Sequence, residues 1–89
     1  MDKGNLEKNN NRIAVVSVLV SDRSEAEKLN GILSEYGDWF LGRMGIPYKE
    51  KGVSVLSVVL DAPVEITNAL TGKIGRLSGV SVKALFGKM

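Results

Sequence analysis

Val15-Val16-Ser17-Val18-Leu19-Val20 and Val55-Leu56-Ser57-Val58-Val59-Leu60 are two copies of one pattern, with Ser57 standing forty residues after Ser17. Each run is short and dense in β-branched residues, which favours a strand over a helix. Each is followed by an acidic turn and then by a segment of helical periodicity. In the first half Ser24 and Glu27 have capping-box spacing. The helix they open is expected to reach Tyr36, with Ala26, Leu29, Ile32, Leu33 and Tyr36 on one stripe, Glu25, Lys28 and Glu35 outside, and Gly37 as its stop. In the second half Asp61 and Pro63 suit a helix start, Asp as cap acceptor and Pro where its missing N–H costs nothing. Ile66, Leu70, Ile74 and Leu77 form the stripe, and Gly72 and Gly75 weaken the last turns.

Between the halves, Trp39 to Met44 reads as a strand that Gly45-Ile46-Pro47 interrupts, followed by an exposed turn from Tyr48 to Gly52. A final strand is expected from Val80 to Phe86 after the turn at Gly79. The order is βαββαβ. Two such βαβ halves build an α+β, ferredoxin-like sandwich: a four-stranded antiparallel sheet with two helices on one face.

Alternation along the strands sorts the sheet into two faces. Ala14, Val16, Val18 and Val20, with Ser54, Leu56, Val58 and Leu60, suit the helix-covered side. The opposite side carries Ile13, Val15, Ser17 and Leu19 beside Val53, Val55, Ser57 and Val59. An open antiparallel face is commonly polar, and this one is not. Ile13, Val15, Leu19, Val53, Val55 and Val59 are therefore the residues expected at the interface of a homo-oligomer. A half-buried face of tolerated valines is the plainer alternative, and the two central serines speak for it.

Composition excludes much chemistry. The chain has 89 residues, no Cys and no His, and 12 Lys+Arg against 10 Asp+Glu for a net charge of +2. Disulfides, thiolate metal sites, Cys nucleophiles and imidazole bases are ruled out. The charge is too small to mark a nucleic-acid-binding surface. Residues 1–11 are polar and non-periodic, and are expected to form a disordered arm ahead of a single domain over 12–89. They lack the apolar core of an export signal, so the expected location is the cytoplasm.

Few motifs suggest a site. Thr71-Gly72-Lys73-Ile74-Gly75-Arg76 is not a phosphate loop, because Thr67 and Ile74 stand where that pattern needs Gly and Ser or Thr. Arg43-Met44-Gly45-Ile46-Pro47-Tyr48 breaks an apolar strand. Its structural reading is a bulge at a sheet edge, and its functional reading is an anion site at Arg43 with Tyr48 closing a small pocket beside Gly45. Ser21-Asp22-Arg23-Ser24 leads into a helix N-terminus; capping accounts for Ser24 and leaves Asp22 and Arg23 over. Neither the carboxylates nor Ser17 and Ser57 have a catalytic partner in the sequence, so no enzyme is expected.

Asp22-Arg23, Arg43-Met44-Gly45-Ile46-Pro47-Tyr48, Leu70-Thr71-Gly72-Lys73-Ile74-Gly75 and Gly79-Val80-Ser81-Val82-Lys83 together resemble the iron-only hydrogenase system regulators, over roughly Arg12 to Lys88. That family is similar in fold to ACT domains and to the C-terminal domain of the nickel-responsive repressor. The resemblance implies a regulatory module, often oligomeric through its sheets. ACT domains bind amino acids at subunit interfaces near the first strand–helix turn, the place held here by Asp22, Arg23 and Ser24. Nickel sensing does not carry over to a chain without His or Cys. Direct DNA binding does not either, since the polar arm is too short for a ribbon-helix-helix.

The expectation is thus a non-catalytic ACT-like regulator, a dimer or tetramer that senses a small amino-acid-like ligand at a subunit interface. It needs no metal or cofactor. The alternative is an assembly module that binds a protein partner and no small ligand.

Overall fold

The computed structural model describes residues 10–88, so most of the arm expected at 1–11 lies outside the described residues. The elements are β1 (Arg12–Val20), α1 (Ala26–Glu35), β2 (Phe40–Tyr48), β3 (Val53–Ala62), α2 (Val64–Gly75) and β4 (Val80–Phe86). Short 3₁₀ turns occupy Arg23–Glu25, Gly37–Trp39 and Lys49–Lys51. The four strands form one antiparallel sheet in the order β2-β3-β1-β4. This is the ferredoxin-like arrangement.

The two repeated runs become the central pair, with Ser17 directly opposite Ser57. Their location explains their composition, since a central strand has neighbours on both edges and helices above it. Ala14, Val16, Val18 and Val20 of β1 and Leu56, Val58, Leu60 and Ala62 of β3 are all buried. Leu29, Leu33 and Tyr36 of the first half and Leu70 and Ile74 of the second close the core from the helix side. Ile32, Ile66 and Leu77 pack against that core while staying partly exposed.

Several local expectations are corrected. The first helix is not opened by a Ser24–Glu27 box. Asp22 accepts from the Ser24 N–H at 3.0 Å and from its hydroxyl at 2.6 Å, which caps the 3₁₀ turn preceding α1. Ala26 is exposed and Glu25 is buried, because that extra turn rotates the start of the apolar stripe. Asp61 does not cap α2: it still belongs to β3, and Pro63 takes the cap position with no side-chain bond.

Gly45-Ile46-Pro47 does not interrupt β2, which runs on to Tyr48. An edge strand tolerates the N–H that Pro47 lacks. The irregularity lies instead between Phe40 and Gly42. Gly72 and Gly75 stay within a helix that runs to Gly75.

Leu60 has no exposed surface. Truncation by Leu60→Ala is expected to cost about 3 kcal/mol and lower Tm by roughly 15 °C. Thermal unfolding of the variant checks this; a drop of only a degree or two contradicts the core assignment.

Candidate functional site: a capped turn and an open sheet face

The β1–α1 turn is tied to the turn between α2 and β4. Ser21 N–H donates to the Gly79 carbonyl at 2.8 Å. Gly79 has φ +67, and a Cβ there would lie 2.7 Å from the Asp22 Cβ. Glycine is required at position 79 on both counts. Beside this contact the buried Glu25 accepts from the Ser78 N–H at 3.2 Å through Oε1. Its Oε2 has no hydrogen-bond partner and lies 3.5 Å from the Lys28 ammonium. Glu25 thus holds the two turns together, a role its position outside the expected stripe concealed.

The Ser24 hydroxyl and N–H both donate to Asp22 and lower its carboxyl pKa below the ordinary value. On the outer side of the helices, Lys73 donates to Glu35 at 2.7 Å and its ammonium lies 5.1 Å from the centre of the Tyr36 ring. The hydrogen bond to Glu35, followed by the nearby Tyr36 side chain, raises the Lys73 pKa.

The candidate binding residues occupy separate places. Asp22, Arg23 and Ser24 form one turn, in which Asp22 and Ser24 are bonded to each other. Arg43 pairs with Val58, level with Val16 and two strands from β1. It is therefore roughly 20 Å from the Asp22 turn. Gly45 sits opposite Leu56, and a Cβ there would make only ordinary contact with that side chain at 3.7 Å. Tyr48 donates to Glu50 at 3.1 Å. It shares the face of Val53, while Arg43 shares the face of Val58, so within one copy they line opposite sides of the sheet.

All six expected interface residues, Ile13, Val15, Leu19, Val53, Val55 and Val59, share the face that no helix covers among the described residues. The edge strands add residues the repeat did not reveal: Met44, Ile46 and Tyr48 from β2 and Leu85 from β4. Ile13 is 46% exposed, Leu19 48%, Met44 60%, Ile46 51% and Leu85 71%, so the apolar surface extends across all four strands. Alternation within β2 and β4 was the available signal, blurred in β2 by Gly42, Gly45 and Pro47. A shallow depression on this side is lined by Ser17, Leu19, Ser81, Val82 and Lys83. Among the described residues no three carboxylates converge to hold a metal ion, and no helix is long and apolar enough to cross a membrane.

An antiparallel β2-β3-β1-β4 sheet with both helices on one side and an apolar face on the other defines an ACT-like, ferredoxin-fold module. More specifically, the chain belongs to the TM1266-like family, described as "Iron-only hydrogenase system regulator, putative", whose model matches residues 12–84. Its fold is that of the uncharacterized protein TM1266 from Thermotoga maritima, with TM-score 0.83 and 32% identity over 88% of this chain and 99% of that one. A formyltetrahydrofolate deformylase from Pseudomonas putida KT2440 shares the fold alone, with TM-score 0.60 and 9% identity over 82% of this chain and 28% of that one. So does an unknown protein from Galdieria sulphuraria, with TM-score 0.60 and 18% identity over 89% of this chain and 46% of that one. No curated protein sequence matches the chain. The family is described as a regulator and its description names no reaction.

Because the Asp22 carboxyl is held below its ordinary pKa, it contributes stability that is complete above the unfolded value and is lost as pH falls through the folded one. Asp22→Ala is expected to lower Tm at pH 7. The gap from wild type should close as the pH falls below about 4, the ordinary carboxylate range. Unfolding curves across that range check this, and a gap that does not change with pH contradicts the bonding described.

Proposed function

We propose that this chain is a non-catalytic regulator that works as a homo-oligomer through its open sheet face and responds to a small anionic or zwitterionic ligand at the subunit interface. The observation that carries this reading is the apolar face spread over all four strands. An exposed apolar surface of that extent on so small a chain marks an interaction surface. Covering it with a second copy also compensates for the limited core of an 89-residue chain.

Arg43 lies far from the Asp22–Ser24 turn and on the helix-covered side with Val58, so assembly through the open face leaves it out. The ligand is placed at the Asp22–Ser24 turn, at the end of β1, which such an assembly sets beside a neighbouring copy. Such a site forms and dissolves with the assembly. A ligand that binds it shifts the association equilibrium by its differential affinity for the two states. The description of the family as a regulator accords with this reading. So does the sequence, which offers neither a thiol nor an imidazole for catalysis.

Thermal unfolding against a panel of amino acids, nucleotides and divalent metals, with light scattering on the same sample, tests the proposal. A ligand at 100 times its Kd adds about 2.7 kcal/mol, a shift of roughly 10 °C or more in a chain of this size. Arg23→Ala is expected to abolish that shift while leaving the unliganded midpoint close to wild type. A full shift in the variant removes Arg23 from the site. A flat panel on a monomeric protein overturns the proposal and makes another protein the cover of the open face.

A further inference from the structure

The open face can be read row by row, because residues directly opposite in an antiparallel sheet project to the same side. One row is Gly42–Val59–Val15–Leu85, the next Met44–Ser57–Ser17–Lys83, and the third Ile46–Val55–Leu19–Ser81. These are the rows in which all four strands pair, flanked by Ile13–Asp61 and Tyr48–Val53. The first and third each have a large residue at one edge and a small one at the other. The large residue is on β4 in the first row and on β2 in the third. The middle row has a hydroxyl pair at its centre and an unbranched side chain at either end.

From this pattern we infer that the open face is self-complementary, and that it docks on a second copy about a two-fold axis parallel to the strands and midway between β1 and β3. The inference rests on the self-association proposed above and adds its geometry. The operation lays β4 of one copy over β2 of the other. Leu85 then covers the partner's Gly42, and Ile46 covers the partner's Ser81. Val15 meets the partner's Val59, Leu19 the partner's Val55, and Ser17 the partner's Ser57. Large side chains thus fall on small ones in the first and third rows, which two sheets about 10 Å apart require for close packing.

Charge selects this axis over its rival. A two-fold axis along the serine row, perpendicular to the strands, also keeps the strands aligned and also sets large on small. It places Lys83 directly over the partner's Lys83, and like charges stacked at an interface are repulsive. The strand-parallel axis lays Lys83 over the partner's Met44 instead. Its aliphatic stem covers the thioether, and its ammonium reaches water beyond the sheet edge that β4 forms.

The serines have a place in the same arrangement. Ser17 and Ser57 are short, and at ordinary sheet spacing their hydroxyls and those of the partner surround a small polar space on the axis, wide enough for bridging water. A sheet roughly 19 Å wide gives an interface at the lower end of the stable range, so association is expected to depend on concentration.

Gly42 supplies the test. A Cβ at that position meets nothing within 4 Å, so a side chain there fits the monomer and clashes only with the partner's Leu85. Gly42→Leu is expected to weaken the dimer roughly tenfold or more by sedimentation equilibrium, with an unchanged circular dichroism spectrum. Adding Leu85→Ala restores room and should return the dissociation constant to within about threefold of wild type.

Cross-linking gives a second readout, free of native thiols because the chain has no Cys. Ser17→Cys places two thiols roughly 5 Å aside across the axis, and a short bis-maleimide should join them. Met44→Cys places them roughly 14 Å aside and should stay unjoined. A dimer insensitive to Gly42→Leu, or one that cross-links through Met44→Cys, overturns this docking geometry and leaves self-association standing. A wild-type monomer at every concentration overturns both.

Discussion

The structure turns on one constraint: both faces of a four-stranded sheet are largely apolar, and the described residues supply helices for only one. Ala14, Val16, Val18 and Val20, with Leu56, Val58, Leu60 and Ala62, are buried under α1 and α2. On the other side Ile13, Leu19, Met44, Ile46, Val55 and Leu85 meet solvent in one copy. Burial of the first set drives the fold. Exposure of the second set is unfavourable in proportion to its area, and a partner that removes it from water gains the same free energy. The two central strands contribute to both faces, and the edge strands widen the open one.

The turns at the end of the sheet are held by polar contacts. Ser21 donates to the Gly79 carbonyl and Glu25 accepts from the Ser78 N–H, while Asp22, itself bonded by Ser24, packs against Gly79. The glycine at 79 lets the two turns approach to a distance that a side chain would prevent. This junction joins the halves of the repeat at the place where ACT-like modules present their first strand–helix turn. A change in Asp22 or Glu25 is therefore felt in both halves.

Much of this was legible in the residues. The repeat about Ser17 and Ser57 revealed the strand pair, its faces and the topology, because period-two alternation follows from backbone geometry alone. β4 was legible to the residue, since Gly79 and the alternation from Val80 mark it on both sides. The caps were not. Asp22 rather than Ser24 accepts the first bonds, a difference of two positions settled by a 3₁₀ turn and by contact with the distant Gly79. Asp61 resembles a cap but is held in β3 by its pairing with Ile13.

Burial of Glu25 and Thr67 was equally invisible. Local charge and polarity say nothing of a Ser78 N–H fifty-three residues away or of a helix pressed flat on the sheet. Of the candidate site, the place of Ile13, Val15, Leu19, Val53, Val55 and Val59 on the open face was legible because they alternate. The polar candidates were legible only as types, since their separation across two strands is a property of the sheet.

The central claim is that a second copy covers the open face. Isotope-filtered nuclear Overhauser spectroscopy on a mixture of labelled and unlabelled chains tests it at the side chains themselves. The account predicts contacts between copies joining the methyls of Val15 and Val59 and those of Leu19 and Val55. Contacts between copies confined to the helices, or none at the highest concentration, would contradict it.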